Sequence, residues 1–273
     1  MGVTYATMEM LSSDASSVLF AASDVRCAVP SPSGERTIFS GLSFTIDAGE
    51  IVDLIGPSGS GKSSLLTAFA RLNPHADGTL TLDGRDSTSF APQQWRREVA
   101  YLPQKPILPG DTVADAIRLP FTLGVRADGQ PSDVRPSRHG RGRLARLFRG
   151  NAERARQLLP DSRIRETLDA MGCADIDLAR APHDLSGGQA ARVSLARTLL
   201  TGPRVLLADE VDAGLDDDNA EKVADIMAQA AADGMAIVRI RHRPPDGRAT
   251  RIVTLADGRL DSKTTDTETE ARA

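Results

Sequence analysis

Residues 56–63 constrain the fold of this chain more than any other segment. They read Gly-Pro-Ser-Gly-Ser-Gly-Lys-Ser and match the pattern G-x-x-x-x-G-K-[ST]. A short apolar run at 51–55 precedes them, and a run with helical character at 62–72 overlaps their end. A strand, a glycine-rich loop and a helix in this order form a cradle whose backbone N–H groups bind an anion. The sequence therefore predicts a phosphate-binding loop inside an α/β fold.

The residues of this loop have separate predicted roles. Lys62 is predicted to neutralise the β- and γ-phosphates of a nucleotide, and the Ser63 hydroxyl is predicted to ligate Mg²⁺. The glycines let the backbone curl so that successive N–H groups face the phosphates. The predicted nucleotide contacts in this segment are Gly56, Pro57, Ser58, Gly59, Ser60, Gly61, Lys62, Ser63 and Ser64.

Apolar patterning predicts the elements around this loop. Strands at 18–28 and 37–46, separated by a Pro-Ser-Pro-Ser-Gly turn, predict an antiparallel β subdomain at the N-terminus. Later strands are predicted at 79–83, 99–102, 205–208, 236–240 and 251–255, and helices at 112–119, 152–171, 190–200 and 219–232. Such alternation favours a parallel sheet covered on both faces. The predicted fold class is α/β, a phosphate-loop NTPase core with a mainly parallel sheet, the antiparallel subdomain and an inserted α-helical subdomain.

Two adjacent carboxylates, Asp209 and Glu210, follow the predicted strand at 205–208. Ligands bind at the carboxyl end of the strands in such a sheet. Asp209 is therefore predicted to associate with a metal ion, and Glu210 to act as the base that orients or deprotonates an attacking water. Two carboxylates alone could be a solvated turn, but a phosphate loop in the same chain favours the functional interpretation.

Further motifs complete an ordered set. Gln104 follows a predicted strand, Leu185-Ser-Gly-Gly-Gln189 precedes a predicted helix, and His242 follows the last core strand. Together with Leu215-Asp216, these motifs occur in the order of the ATP-binding cassette (ABC) family and cover about residues 18–260. The chain resembles the nucleotide-binding subunit of an ABC transporter. Over a short stretch from Gln104 it is also similar to ATPase subunits of iron exporters.

The resemblance implies an ATPase with ATP and Mg²⁺ as cofactors. In this family two domains pair head to tail, so that the phosphate loop of one subunit and the LSGGQ motif of the other enclose one γ-phosphate. Gln104 would complete the Mg²⁺ shell, and His242 would hydrogen-bond the γ-phosphate and hold Glu210 in line. The implied catalytic residues are Glu210, His242, Gln104 and Lys62; the further nucleotide contacts are Ser186, Gly187, Gly188, Gln189 and Asp216; and the metal-associated residues are Ser63, Gln104 and Asp209.

Some positions depart from the family pattern. The family stacks an upstream aromatic residue on adenine, whereas no aromatic residue lies between 26 and 36. Val29 or Cys27 is expected in its place, and an apolar contact there would discriminate weakly between ATP and GTP. Asp53 lies in a predicted buried strand, where a carboxylate needs a partner.

The loops after the last two core strands depart as well. The D-loop reads Ala-Gly-Leu-Asp at 213–216 where the family has Ser-Ala-Leu-Asp, which adds backbone freedom. Arg241 stands before His242 where the family has Thr, so an ordinary surface histidine remains an alternative for His242.

Charge is distributed unevenly along the chain, whose net charge is −4. Residues 123–165 contain eleven Arg against four Asp and Glu. The part at 123–150 is predicted to be an arginine-rich insertion that the fold does not need. Contact with anionic lipid headgroups, contact with nucleic acid and a solvated loop are the alternatives for it.

The organisation predicted from these observations is simple. A flexible N-terminus at 1–17 precedes an ABC ATPase domain at 18–261, whose helical subdomain spans about 91–184, and a flexible tail follows at 262–273. Cys27 and Cys173 are isolated, so neither a disulfide framework nor a zinc site is predicted. No apolar stretch reaches the roughly 18 residues of a membrane-spanning helix.

The expected function follows from the resemblance and from that missing span. We expect an ATPase subunit that forms a nucleotide-dependent homodimer on a separately encoded transmembrane permease, with metal (iron) export as one candidate activity. It would be cytoplasmic and peripheral on the cytoplasmic face of the membrane, with no nucleic acid as partner. One alternative is a soluble non-transport ABC ATPase acting on nucleic acid or ribosomes. Another is a regulatory cassette that binds ATP without hydrolysing it. This alternative is disfavoured by the intact Lys62, Asp209, Glu210 and His242.

Overall fold

The computed structural model describes residues 18–32, 34–123 and 151–265. Ten strands form two sheets in this part of the chain. The strands are β1 (Val18–Ser31), β2 (Gly34–Asp47), β3 (Ile51–Ile55), β4 (Ala76–Leu82), β5 (Arg85–Asp86), β6 (Val99–Leu102), β7 (Val205–Asp209), β8 (Ala236–Ile240), β9 (Arg251–Ala256) and β10 (Arg259–Thr264). The helices are α1 (Lys62–Phe69), α2 (Pro92–Glu98), α3 (Val113–Thr122), α4 (151–158), α5 (Asp161–Ala170), α6 (Gly187–Leu200) and α7 (Asp217–Ala232).

The larger sheet has the order β10-β9-β3-β8-β7-β6. The pairs of β3 with β8 and β9, of β8 with β7 and of β7 with β6 are all parallel, and only the edge strand β10 is antiparallel. Every residue of β7 and β8 is buried, as expected for a parallel sheet covered on both faces. The carboxyl ends of β3, β6, β7 and β8 therefore lie along one edge of this sheet.

The smaller sheet is antiparallel and has the order β2-β1-β4-β5. It packs over α1 through an aromatic cluster, in which the Phe20 and Phe69 rings lie 5.1 Å apart and the Phe20 and Trp95 rings 6.2 Å apart. Trp95 is fully buried, and its indole N–H donates to the Phe69 carbonyl over 2.9 Å. The predicted fold class, with its antiparallel N-terminal subdomain and mainly parallel core sheet, is confirmed.

A second apolar core lies between the larger sheet and helices α3, α5, α6 and α7. Here the single helix predicted over 152–171 is wrong, because α4 ends at 158 and α5 begins at Asp161. Pro160 lies at the break and caps α5. Proline disfavours the helical conformation of the residue before it and has no N–H to donate, but it fits the start of a helix.

Several predicted boundaries also shift. Within the span 91–184 assigned to the helical subdomain, Val99–Leu102 is strand β6 of the larger sheet. The tail predicted to be flexible from 262 starts too early, since Ser262 pairs with Val253 and Thr264 with Arg251. Its side chains are exposed, so apolar patterning gave no signal, and the backbone ladder with β9 orders it instead.

Other predictions lie outside the described residues. These are the flexible N-terminus at 1–17, the arginine-rich insertion from residue 124 onward and the end of the tail from 266. Among the residues that the structure does describe, no helix is both long enough and apolar enough to cross a membrane.

Candidate active site

The phosphate loop, residues 56–63, connects β3 to α1 and depends on glycine where the chain passes close to neighbours. Gly56 has φ of 144°, and a Cβ atom there would lie 2.1 Å from the Leu255 carbonyl oxygen. Gly61 has φ of 100°, and its Cβ would lie 2.6 Å from Ile38 Cγ2. Any other residue would meet both a disfavoured backbone conformation and a clash. The loop is therefore shaped by its backbone.

Two polar side chains inside this loop fit a phosphate group. The Lys62 side chain is buried, and its Nζ donates to the carbonyls of Gly56 over 2.8 Å and of Pro57 over 3.0 Å. Ser60 Oγ is buried and has no hydrogen-bond partner among the described residues. A buried hydroxyl without a partner is unfavourable. A bound phosphate oxygen would accept from Ser60 and from the Lys62 ammonium, so the loop fits a nucleotide phosphate chain.

A groove of about 630 Å³ adjoins the loop and is open to solvent. Arg36, Phe39, Ser58 and Arg259 are among the side chains that line it. Val29 is partly buried on β1, directly opposite Arg36 on β2. Cys27, the other residue expected in place of an adenine-stacking aromatic, is fully buried and accepts a hydrogen bond from Asn73. The Cys27 alternative is therefore wrong, because its thiol belongs to the core.

The catalytic candidates meet at the edge formed by the carboxyl ends of β6, β7 and β8. Glu210 follows β7, and its two carboxylate oxygens have separate partners. Gln104 Nε2 donates to Glu210 Oε2 over 2.6 Å, and His242 Nε2 lies 2.7 Å from Glu210 Oε1. Gln104 and His242 are exposed, while Glu210 is partly buried. The structure thus brings together three side chains that are 106 and 32 positions apart in sequence.

Asp209 is the last residue of β7 and is buried. The Tyr101 hydroxyl on the neighbouring strand β6 donates to Asp209 Oδ2 over 2.8 Å. Burial raises the pKa of Tyr101, and the hydrogen bond and charge of Asp209 raise it further. The Tyr101 proton therefore stays in place and orients the carboxylate. Oxygen ligands from a hydroxyl, an amide and a carboxylate suit Mg²⁺, so Ser63, Gln104 and Asp209 are chemically fit to hold it.

The LSGGQ motif lies at the start of α6. Ser186 is the N-cap, and its hydroxyl accepts from the Gln189 N–H over 3.2 Å, while the Gln189 side chain accepts from the Ser186 N–H over 3.0 Å. Gly187 and Gly188 form the first turn, which leaves backbone N–H groups at the exposed helix start. Among the described residues, no hydrogen bond joins this motif to the phosphate loop of the same chain.

Asp216 is the N-cap of α7 and accepts from the Asn219 N–H over 2.8 Å. Hydrogen bonds from the backbone and side chain of Asn219 lower the pKa of Asp216. A Cβ at Gly188 would lie 3.0 Å from Leu215 Cδ2, so the LSGGQ motif packs closely against the D-loop of its own chain.

A buried ion network lies behind the catalytic candidates. It consists of three carboxylates and two guanidinium groups: Asp53, Asp212, Asp246, Arg239 and Arg241. Asp53 on β3 lies opposite Arg239 on β8, and Arg239 Nε donates to Asp53 Oδ1 over 2.5 Å. Burial raises the pKa of Asp53 against the opposing effect of Arg239. The partner that a buried Asp53 requires is therefore Arg239.

Sequence reasoning missed Tyr101, Asp212 and Asp246, and it gave Arg239 no partner. The sequence contains one signal for the ion pair of Asp53 with Arg239. Asp53 and Arg239 each interrupt an otherwise apolar strand of five residues, and both strands were predicted to lie in one parallel sheet. Opposite charges in two neighbouring buried strands indicate an ion pair. Tyr101, Asp212 and Asp246 lie at strand ends or in loops, where no pattern distinguished them.

Comparison with known proteins identifies the family. The profile described as ABC transporter matches residues 39–213. The chain is 31% identical over 224 residues to the "Probable iron export ATP-binding protein FetA" of Escherichia coli (strain K12). This alignment covers 81% of this chain and 86% of FetA. The chain is also 31% identical over 235 residues to the "Macrolide export ATP-binding/permease protein MacB" of Rhodopseudomonas palustris (strain HaA2). This alignment covers 83% of this chain but 31% of MacB.

Solved structures share the fold. A dimeric ATP-binding cassette, described as a post-hydrolysis state bound to ADP and Pi, aligns with a TM-score of 0.67 over 90% of this chain and 98% of that chain, at 22% identity. The family match and the ordered motifs agree. The chain belongs to the ABC transporter family, as a cassette that binds ATP with Mg²⁺ and hydrolyses it.

Proposed function

We propose that this chain is the motor of an export transporter and that Glu210 is the base for ATP hydrolysis. The observation that carries the proposal is the position of Glu210, held between Gln104 and His242 at 2.6 and 2.7 Å beside the buried Asp209. A carboxylate fixed by both oxygens at the ligand-binding edge of a parallel sheet is suited to orient a water molecule.

The phosphate loop binds the nucleotide in this proposal. Lys62 neutralises the β- and γ-phosphates, and the backbone N–H groups at the start of α1 add the positive end of the helix dipole. Ser63, Gln104 and Asp209 would hold Mg²⁺, and the bound ion would neutralise developing charge on the phosphate oxygens. The partly buried Val29 contacts the base, which predicts weak discrimination between ATP and GTP.

Glu210 accepts a proton from the attacking water, or orients that water, as it approaches the γ-phosphate. His242 Nε2 contacts one oxygen of Glu210 and Gln104 Nε2 donates to the other. The role proposed for the His242 imidazole towards ATP is a hydrogen bond to the γ-phosphate. These contacts are electrostatic and positional, and this is the main contribution that a protein makes to phosphoryl transfer.

The proposed working unit is a head-to-tail homodimer around two Mg-ATP. The LSGGQ motif makes no hydrogen bond with the phosphate loop of its own chain among the described residues, and the exposed start of α6 is suited to bind an anion. Ser186, Gly187, Gly188 and Gln189 of one subunit then contact the γ-phosphate held by the other. Asp216 lies on the same surface as this motif, through the contact of Leu215 with Gly188.

The partner in the proposed transporter is a membrane permease. The relative MacB carries an ATP-binding part and a permease in one protein, and the chain spans 31% of its length. The chain spans 86% of FetA. The names of FetA and MacB share export but differ in cargo, which supports export in general and makes iron a first cargo to test. The alternative of a non-transport ATPase acting on nucleic acid or ribosomes gains no support from these relatives. The lipid contact predicted for the arginine-rich insertion stays a prediction.

The variant Glu210→Gln tests the proposal. Glutamine keeps the shape of the side chain but loses the base, so ATP should bind and accumulate without being hydrolysed. We expect size-exclusion chromatography with light scattering to detect a dimer of this variant with Mg-ATP and a monomer without nucleotide. A monomer under both conditions would contradict the proposed dimer.

A further inference from the structure

Two buried charged residues flank the side chains to which hydrolysis is assigned above. Asp212 follows Glu210 by two positions, in the segment 209–216 that we call the carboxylate loop. Arg241 directly precedes His242 at the end of β8. Both are buried, with exposed fractions of 7% and 8%. Each is thus covalently close to one member of the Glu210–His242 contact, although neither has a part in the proposed chemistry.

Asp212 and Arg241 contact each other directly. Arg241 Nε donates to Asp212 Oδ2 over 3.2 Å, between side chains that lie 29 positions apart in sequence. Water is largely excluded from both groups, so removing Arg241 would leave Asp212 as an uncompensated buried charge. The pair therefore fixes the start of the carboxylate loop to the end of β8.

The backbone of the carboxylate loop needs such a support at this point. Glu210 has φ of 51°, in the left-handed region that residues other than glycine rarely adopt. The turn that follows is closed by hydrogen bonds from Ala213 N–H to Glu210 O over 3.0 Å and from Leu215 N–H to Asp212 O over 3.3 Å. Such strained backbone persists where surrounding contacts over-determine it. The Asp212 side chain anchors this turn from the protein interior.

Arg241 also contacts a second carboxylate, that of Asp246. Its Nη1 lies 2.5 Å from Asp246 Oδ2, and Asp246 accepts from Arg239 Nη2 over 2.7 Å. Arg239 pairs with Asp53 on β3, the strand that leads into the phosphate loop. Burial opposes the charge of Asp246, but hydrogen bonds and charge from Arg239 prevail and lower its pKa. The Asp212–Arg241 pair is thus fixed to the two central strands of the larger sheet.

A second connection holds the far end of the carboxylate loop. Arg243 donates to Asp217 Oδ1 over 2.7 Å and to the Leu215 carbonyl. The Asp217 side chain is 98% exposed, so this ion pair is weak compared with a buried one. The buried support nearest to Glu210 is therefore the Asp212–Arg241 pair.

We propose that Arg241 is a positioning residue for ATP hydrolysis, which acts through its buried ion pair with Asp212 to hold Glu210 and His242 in contact. The inference rests on the roles of Glu210 and His242 in the proposed function. A displacement of either loop by about 1 Å would separate the two side chains, and misplacement of that size costs up to about 100-fold in rate.

The experiment is a double-mutant cycle of Arg241→Met, Asp212→Ala and the double variant in the full chain. ATPase kcat and KM are measured together with thermal unfolding. We expect kcat to fall by about 10- to 100-fold in all three variants alike, because the contact is lost in each. KM for ATP should change by less than about threefold, since the phosphate loop is intact. The double variant should unfold at a higher temperature than Arg241→Met, because no carboxylate at 212 remains unpaired.

Recovery of kcat in the double variant, in parallel with its stability, would overturn the proposal, since the pair would then serve only the fold. Losses that multiply in the double variant would also overturn it, because the two residues would act independently. If Arg241→Met does not fold, Arg241→Lys and Asp212→Asn preserve most of the volume. Both should lower kcat, and wild-type kcat in both would overturn the proposal.

Matched controls separate this inference from general destabilisation and from the proposed function. Arg251 and Glu50 form a partly buried ion pair at the opposite end of the same sheet, with Nε and Oε1 2.8 Å apart. Arg251→Met should lower stability and leave kcat unchanged. Glu210→Gln is measured in the same assay, and wild-type turnover of that variant would refute the proposed function itself. Inactive Glu210→Gln with fully active Arg241→Met would refute only the positioning role.

Discussion

The phosphate loop and the carboxylate loop hold their functional groups in opposite ways. The phosphate loop is shaped by glycines at positive φ, and Lys62 is satisfied by carbonyls of the loop itself. The carboxylate loop has a glutamate at positive φ, and side chains from distant elements hold it: Gln104, His242 and Arg241. One half of the site is thus built from local backbone, and the other from long-range contacts between charged or polar side chains.

The two halves of the site are therefore sensitive to different substitutions. A backbone cradle depends on conformations that only glycine adopts at low cost, and its ligand groups are N–H groups that substitution does not remove. A side-chain network depends on every partner, because a buried charge left alone is strongly unfavourable. Substitutions in the phosphate loop should therefore reduce nucleotide binding, and substitutions in the carboxylate loop should reduce stability and turnover.

The largest loss of stability is expected for Arg239→Met in the buried ion network. The variant removes the guanidinium that hydrogen-bonds both Asp53 and Asp246, and although Arg241 still contacts Asp246, the loss should cost about 3–5 kcal/mol in the free energy of unfolding. Chemical denaturation measures it. The control is Arg26→Met, which breaks the exposed pair with Glu35 and should cost at most about 1 kcal/mol. Equal losses in the two variants would mean that the buried network contributes no more to stability than an exposed ion pair.

Lys62→Ala tests the backbone-built half. Removing the ammonium that we propose to neutralise the β- and γ-phosphates should lower ATP affinity by roughly 100-fold, the value of a strong hydrogen bond to a charged group. Titration calorimetry measures the affinity, and the stability should change little. Lys263→Ala on the exposed edge strand β10 is the control and should bind ATP like the wild type. Wild-type affinity in Lys62→Ala would refute the assignment of the phosphate loop.

Gly59→Ala should have the smallest effect. A Cβ at Gly59 meets no atom within 4 Å, so only the φ of 77° opposes the substitution. The expected loss is about 1–2 kcal/mol in the free energy of unfolding. Gly61→Ala adds a clash with Ile38 and should lose more. An equal loss in the two variants would mean that close packing does not contribute to the shape of the loop.

The two halves also differ in how far the sequence predicts them. The motif spacing alone predicts the β3–loop–α1 unit. The apolar run of β7 predicts that Asp209 and Glu210 lie at the end of that strand. Both predictions rest on local patterns. The contact of His242 with Glu210 was implied by the resemblance, since 32 positions separate the two residues and no local pattern joins them. The contact of Gln104 with Glu210, across 106 positions, was not predicted. The Asp212–Arg241 pair could not be predicted, because it requires the relative position of two loops.

Errors in the fold prediction have similar causes. Periodicity extended one helix over 152–171, whereas the conformational restriction at Pro160 divides it. The exposed strand β10 has no buried side chains to reveal it, and only its ladder with β9 defines it. The uninterrupted apolar strands β7 and β6 were predicted with errors of at most one residue, since burial on both faces leaves a continuous apolar run.

The most direct test of Glu210 as the base for ATP hydrolysis is the variant Glu210→Gln, with turnover and ATP affinity measured on the same purified sample. If Glu210 is the base, kcat should fall by about 100- to 10,000-fold, the usual contribution of a general base, while ATP affinity stays within about threefold of wild type. That result would separate the carboxylate loop, which performs hydrolysis, from the phosphate loop, which binds the nucleotide. Turnover within about twofold of wild type would contradict the role of Glu210 as the base, because hydrolysis would then not depend on the side chain that Gln104 and His242 hold.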